Sequence, residues 1–243
     1  MKRKMILEID WIWVGVCLVF GFEGSILIMY NLALFDLDGT LVDSEAGILN
    51  SMNYALDYFG IKADSDALSK FIGPPIRDSF KALHGFNPEK TEKAVAKYRE
   101  YFATKGMFEA KIYPGIIPLL ESLKGNGIKM AVATSKVGAY AEKILHHFNI
   151  SQYFSLIVGS EMDGTRSDKA EIIDCALNTL DGSRKMKTVM IGDRKHDIIG
   201  ATAHGIDSIG VLWGYGGRAE LETAGATKIV NSTKELQHII CGV

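Results

Sequence analysis

Leu32-Ala33-Leu34-Phe35-Asp36-Leu37-Asp38-Gly39-Thr40 is the stretch on which the fold turns. Four apolar residues end at an acid, and a second acid follows two positions later. An apolar run this short, with no alternation, reads as a strand buried on both faces. The runs Lys129-Met130-Ala131-Val132-Ala133, Leu156-Ile157-Val158, Thr188-Val189-Met190-Ile191 and Ser208-Ile209-Gly210-Val211-Leu212 look similar. A last weak strand is Lys228-Ile229-Val230. Between them lie amphipathic stretches of helix length: Ile116–Lys124, Ala139–Phe148, Lys169–Leu180 and Asp197–His204. Strands alternating with helices predict an α/β fold with a doubly wound, mainly parallel sheet.

One section breaks the alternation. From Ser44 to about Phe108 there is no strand signal. The stretch reads as helices at Glu45–Phe59, Asp66–Phe71, Ile76–Leu83 and Pro88–Lys105, with Gly73-Pro74-Pro75 separating the second from the third. An insertion of helices straight after the first strand predicts an all-helical cap over the carboxyl end of the sheet, where open α/β sheets bind ligands. The expected division is an extension at 1–29, an α/β core at 30–44 and 110–243, and a helical cap at 45–109.

Composition excludes several classes. The 243 residues carry 27 Lys+Arg and 29 Asp+Glu, a formal net charge of −2. A nucleic-acid-coating protein needs a basic surplus, so no nucleic-acid partner is expected. A hydrophobic fraction of 47% argues against disorder. The 3 cysteines are far apart and form no CxxC pair, which excludes a zinc knuckle or disulfide framework and suits a reducing, cytoplasmic setting. The amino terminus differs from the rest. Lys2-Arg3-Lys4 precedes an uncharged apolar run from Trp11 to Phe22, shorter than the roughly 20 residues that span a bilayer as a helix. Three readings stay open: a natural start at Met29, a packed or membrane-surface helix, and an export signal weakened by Glu8 and Asp10.

The chemistry gathers at strand ends. Asp36 and Asp38 can both face one ligand if the chain bends, and Gly39 permits the bend. One carboxylate can attack as a nucleophile while the other works as acid and base. Alone, such a pair is more often a polar turn with a helix cap. Gly192-Asp193-Arg194-Lys195-His196-Asp197 adds Asp193 at a strand tip and Asp197 one helical turn on, able to point at the same spot. Four acids together would repel one another, so a cation is expected, and hard oxygen ligands suit Mg²⁺. Thr134 and Ser135, after the second core strand, offer a hydroxyl and backbone N–H groups at a helix start, a phosphate-binding arrangement or a plain cap. Lys169 opens the next helix and can offset the charge of nucleophile and phosphate, though a lone lysine there is more often solvated. Trp213 and Tyr215 follow a strand and either line the site or pack.

These residues together resemble the haloacid dehalogenase superfamily of phosphatases. Asp36-x-Asp38-Gly39-Thr40, Thr134, Lys169 and Gly192-Asp193…Asp197 look like its four motifs, in order, from about Leu32 to the carboxyl end. The resemblance implies a Rossmann-like core with an inserted helical cap. It implies that Asp36 attacks phosphorus to form an aspartyl-phosphate, that Asp38 is the acid and base, and that Thr134 and Lys169 bind phosphoryl oxygens. It assigns Mg²⁺ to Asp36, Asp38 (through its carbonyl), Asp193 and Asp197. Phosphoryl transfer needs in-line placement and charge neutralisation, which fits such a set.

Phe71-Ile72-Gly73-Pro74-Pro75-Ile76-Arg77 and Gly210-Val211-Leu212-Trp213-Gly214-Tyr215-Gly216 look like the phosphoglycolate-phosphatase-like group, most like its bacterial 5′-nucleotidase-like branch. That similarity places Gly73 and Arg77 against substrate, where a guanidinium can grip a second anionic or carbonyl group. It implies a small phosphomonoester substrate, first a nucleoside 5′-monophosphate, otherwise phosphoglycolate. A monomer or homodimer is expected, and the short apolar run predicts no stable membrane span. Asp38 disfavours a dehalogenase. A phosphosugar mutase shares the motifs, and a non-catalytic phosphate-binding or partner-binding module is the reading from a different class.

Overall fold

The computed structural model describes residues 30–62, 68, 72, 76–180, 182 and 186–242. The expectations for residues 1–29, for the Gly73-Pro74-Pro75 break and for all but Leu68 of the Asp66–Phe71 helix lie outside the described residues.

Six strands form one parallel sheet: β1 (Leu32–Phe35), β4 (Lys129–Val137), β5 (Leu156–Ser160), β6 (Thr188–Gly192), β7 (Asp207–Val211) and β8 (Lys228–Val230). Their order is β5-β4-β1-β6-β7-β8. The chain fills one side of β1, then crosses and fills the other, so the carboxyl end of β1 is where strand order reverses. Register is fixed on both sides, with Phe35 opposite Val132 and Ile191.

The absence of alternation in the sequence has its cause here. Ala33, Phe35, Val132, Val189 and Ile191 face one apolar cluster, while Leu32, Leu34, Ala131, Ala133 and Met190 face another. Successive side chains point to opposite faces, and both faces are covered. Helices α4 (Ile116–Gly125), α5 (Gly138–His147) and α9 (Thr233–Cys241) contribute to the first cluster through Leu120, Leu145 and Leu236. Helices α6 (Lys169–Thr179) and α7 (Lys195–Ala203) contribute to the second through Ile173 and Ala201. Helix α8 (Arg218–Thr223) precedes β8. No described helix is long and apolar enough to cross a membrane.

Between β1 and β4 lie α1 (Glu45–Asp57), α2 (Ile76–His84) and α3 (Pro88–Phe102), with α3 packed on both others. Asn87 accepts the Lys90 N–H at 2.9 Å and Pro88 opens α3, a combination that fixes its start. The chain leaves and re-enters the sheet region through two short antiparallel strands, β2 (Val42–Asp43) and β3 (Lys111–Ile112). This ribbon was not expected, because two-residue strands carry no readable period. The first apolar cluster continues from the sheet into these helices through Met52, Leu56, Val95 and Phe102.

Candidate active site

Asp36 is the first residue past β1, and its N–H donates to the Ile191 carbonyl at 2.9 Å. The chain then folds back. The Leu37 carbonyl accepts from Leu41 and Val42, and the Gly39 N–H donates to the Val42 carbonyl at 2.8 Å. Gly39 sits at φ +82°, and a Cβ there would lie 2.4 Å from Asp193 Oδ2. Only glycine satisfies both constraints. This turn is packed directly on the acid that follows β6.

Asp36, Asp193 and Asp197 each place a carboxylate oxygen within 4.8 Å of the others. Their exposures are 9%, 0% and 1%. Asp193 accepts the Tyr215 N–H at 2.8 Å and the Thr40 hydroxyl at 3.3 Å. Asp197, in the first turn of α7, accepts the Arg194 N–H at 3.0 Å. Asp36 Oδ1 and Asp197 Oδ1 are buried and accept no well-aligned hydrogen bond. Both face the Lys169 ammonium, at 2.9 and 2.7 Å. Lys169 is itself 4% exposed and donates to the Ala133 carbonyl at 3.0 Å. Asp168 positions it by capping α6, accepting the Ala170 N–H at 2.8 Å.

Charge is out of balance in this cluster. Three carboxylates face one ammonium. Two like charges about 4 Å apart repel by ~4 kcal/mol at an effective dielectric of about 20. Burial, with Asp197 and Asp36 as neighbours, pushes Asp193 up to about 8. Burial also raises Asp36 to about 6, against the lowering effect of Lys169. Burial alone would lower the Lys169 ammonium, but Asp197 and Asp36 hold it above its ordinary value. An all-carboxylate set with more buried negative charge than Lys169 alone balances is the donor chemistry of a hard divalent cation, so the residues present fit Mg²⁺.

The Asp38 carboxylate stands apart from the trio. Ser44 donates its hydroxyl to Oδ1 at 2.5 Å, and the Lys136 ammonium lies 2.6 Å from Oδ2. The expected quartet of clustered carboxylates is therefore a trio plus one. Thr134 and Ser135 also sit differently from expectation. They were placed at a helix start, yet β4 continues to Val137 and α5 begins only at Gly138. The strand shifts register between Ala133 and Val137, which lengthens it and re-aims its side chains. Thr134 is buried and accepts the Lys136 N–H at 3.2 Å; the Ser135 carbonyl accepts the Ser160 hydroxyl at 2.9 Å.

A cavity of about 200 Å³ brings together Asp36, Asp38, Thr134, Ser135 and Lys136 with Arg77 from α2. Arg77 forms a two-pronged pair with Glu92, at 2.7 and 3.1 Å. Lys169, Asp193 and Asp197 are not among the lining residues but adjoin Asp36, which is, and Gly73 is outside the described residues. Sequence reasoning assigned no role to Lys136 or Ser44. The available signal for Lys136 was its place two residues after Thr134.

The haloacid dehalogenase-like hydrolase family model matches residues 33–211. The chain belongs to that family. This haloacid dehalogenase-like hydrolase is 41% identical over 212 residues to a 5′-nucleotidase of Pseudomonas aeruginosa, covering 87% of this chain and 96% of the relative. It is 39% identical over 210 residues to the tyrosine-protein kinase PtkA of Mycobacterium tuberculosis, covering 86% of this chain and 71% of that protein. A solved structure of a predicted phosphatase from Clostridium acetobutylicum superposes with a TM-score of 0.83 at 45% identity, covering 89% of this chain and all of that one. Within its family, the hydrolase is a phosphatase.

Proposed function

We propose that the protein hydrolyses small phosphomonoesters, nucleoside 5′-monophosphates first among them, through an aspartyl-phosphate on Asp36 and with Mg²⁺. The observation that carries this is the pairing of a buried, Lys169-flanked Asp36 with a separate Asp38 on one cavity. The similarity to a 5′-nucleotidase supports the choice of substrate. The helices of residues 45–109 act as a cap, since α2 places Arg77 on the cavity and the chain enters and leaves them through one ribbon.

Asp36 attacks phosphorus, and the ester oxygen departs with a proton from Asp38. The Thr134 hydroxyl and the Lys169 ammonium hold phosphoryl oxygens. Asp38 then takes a proton from the water that releases orthophosphate. Asp36, Asp193 and Asp197, with the Asp38 carbonyl, would hold Mg²⁺, which supplies positive charge against the phosphoryl oxygens. Arg77 reaches the remainder of the substrate once Glu92 is displaced or shared.

A kinetic panel tests the substrate. Nucleoside monophosphates, phosphoglycolate, sugar phosphates and pyrophosphate should be compared by kcat/KM. The nucleotides should lead by about tenfold or more, the equivalent of roughly 1.4 kcal/mol in transition-state binding. A lead for another class overturns the substrate choice, and no hydrolysis of any ester overturns the catalytic reading.

Metal binding has its own signature. A raised carboxyl pKa means that the fold keeps a proton which the unfolded chain releases near pH 4. Asp36 at about 6 and Asp193 at about 8 therefore make the metal-free fold lose stability as pH climbs from about 4 to about 8. Mg²⁺ binds the ionised trio. The rise in unfolding temperature on adding Mg²⁺ should be larger near pH 8 than near pH 5. An equal rise at both, or none, would remove the trio as the metal site.

A further inference from the structure

Tyr215 lies in the loop between β7 and α8 and touches both halves of the site. Its N–H donates to Asp193 Oδ2 at 2.8 Å. Its hydroxyl accepts the Ser44 N–H at 2.8 Å and donates to Asp43 Oδ1 at 3.1 Å. Neighbouring residues press the loop into place. The Trp213 indole N–H donates to the Thr40 carbonyl at 3.0 Å, and a Cβ on Gly214 would lie 2.2 Å from the Gly39 carbonyl oxygen.

Ser44 is the informative partner. It occupies the cap position of α1, where a serine side chain ordinarily accepts a backbone N–H of its own helix. Here it makes no such bond. Its hydroxyl is given to Asp38 Oδ1 at 2.5 Å, and its own N–H is held by Tyr215. A local rule is broken, and the gain appears at Asp38. Three hydrogen bonds, joined through the covalent frames of Tyr215 and Ser44, link Asp193 to Asp38, with Tyr215 and Ser44 171 positions apart.

We propose that Tyr215 is a positioning residue for Asp38: acting through Ser44, it fixes the acid–base carboxyl relative to the acidic trio. The inference rests on the hydrolytic reading above. Oδ1 is held by Ser44 and Oδ2 faces the Lys136 ammonium at 2.6 Å, so Asp38 exchanges its proton on Oδ2 as Lys136 gives way to substrate. In the first step the Asp36–phosphorus bond forms, the ester P–O bond breaks, and the Asp38 proton leaves with the alcohol. In the second, water oxygen bonds to phosphorus, the Asp36–phosphorus bond breaks, and the water proton returns to Asp38.

An alkyl leaving group needs that proton, whereas p-nitrophenolate departs with little help. The test compares kcat/KM for a nucleoside 5′-monophosphate and for p-nitrophenyl phosphate in wild type, Tyr215→Phe, Ser44→Ala and the double variant. Each single variant should lower the alkyl value by about 30-fold or more and the aryl value by less than about threefold. The double variant should lose no more than the worse single one, because both act in one chain. Ser44→Thr, which keeps the hydroxyl, should recover most of the alkyl activity. It also carries the test with Ser44→Ala if Tyr215→Phe fails to fold. Equal losses on both substrates, or losses that add, overturn the proposal. An inactive wild type would instead overturn the hydrolytic reading itself.

Discussion

Asp36→Asn should lower kcat by about ten-thousand-fold or more, because removing a nucleophile leaves only binding and charge stabilisation. Asparagine keeps the shape of the side chain and its acceptor oxygen but cannot attack phosphorus. The folded protein should not suffer. Asp36 is buried among carboxylates, and burial raises its pKa, so ionised Asp36 is a burden on the metal-free fold. The substitution removes one of three negative charges, and the Lys169 ammonium keeps Asp197 at 2.7 Å. In the absence of metal, the unfolding temperature of Asp36→Asn should equal or exceed that of wild type. Calorimetry and turnover measured on one preparation check both halves. Activity near wild type would remove Asp36 as the nucleophile, and a large loss of stability would contradict the account of the cluster.

What the sequence made legible was local. The run Leu32 to Phe35 announces a strand because both faces are covered, and Asp36 falls at its tip for that reason alone. Asp193 and Asp197 are four apart at a strand-to-helix junction, so one turn of helix brings them together. The helices Ile116–Gly125, Gly138–His147 and Lys169–Thr179 lie within a residue or two of their periodic patterns. Helices α8 and α9 flank the weak β8 signal, and α8 is only six residues long, too short to show a helical period.

The remainder depends on contacts that no local window holds. Lys136 meets Asp38 near the carboxyl end of β4, where the strand shifts register between Ala133 and Val137. Its ammonium also lies 4.6 Å from the centre of the Phe102 ring, which belongs to the inserted helices. Ser44 and Tyr215 meet across most of the chain. Seen as a string, Ser44 is an ordinary helix cap and Tyr215 an aromatic after a strand. Separating Asp38 from the trio likewise required knowing which neighbours its two oxygens had already taken.

Lys169→Met should be the most damaging substitution for the fold. Methionine fits the volume of the lysine stem but leaves Asp36 Oδ1 and Asp197 Oδ1 facing each other without a counter-charge. Removing one partner of a buried ion pair typically costs ~3–5 kcal/mol. For a chain of this size, about 2–4 °C is lost per kcal/mol, which gives a fall in unfolding temperature on the order of 10 °C. The Ala133 carbonyl, midway along β4, also loses the Lys169 donor. Two additions should recover part of the loss. Mg²⁺ would supply the missing positive charge, so its stabilising effect should be greater on Lys169→Met than on wild type. A second substitution, Asp197→Asn, removes the repulsion, so the double variant should be more stable than Lys169→Met alone even though Asp197→Asn lacks a residue of the trio. Turnover should return in neither case, because the ammonium that balances Asp36 and the phosphoryl oxygens is gone from both. Thermal unfolding of the three proteins, with and without Mg²⁺, decides the matter. If Lys169→Met unfolds at the wild-type temperature, the buried carboxylates are being balanced by something other than Lys169, and the electrostatic account of the site fails with it.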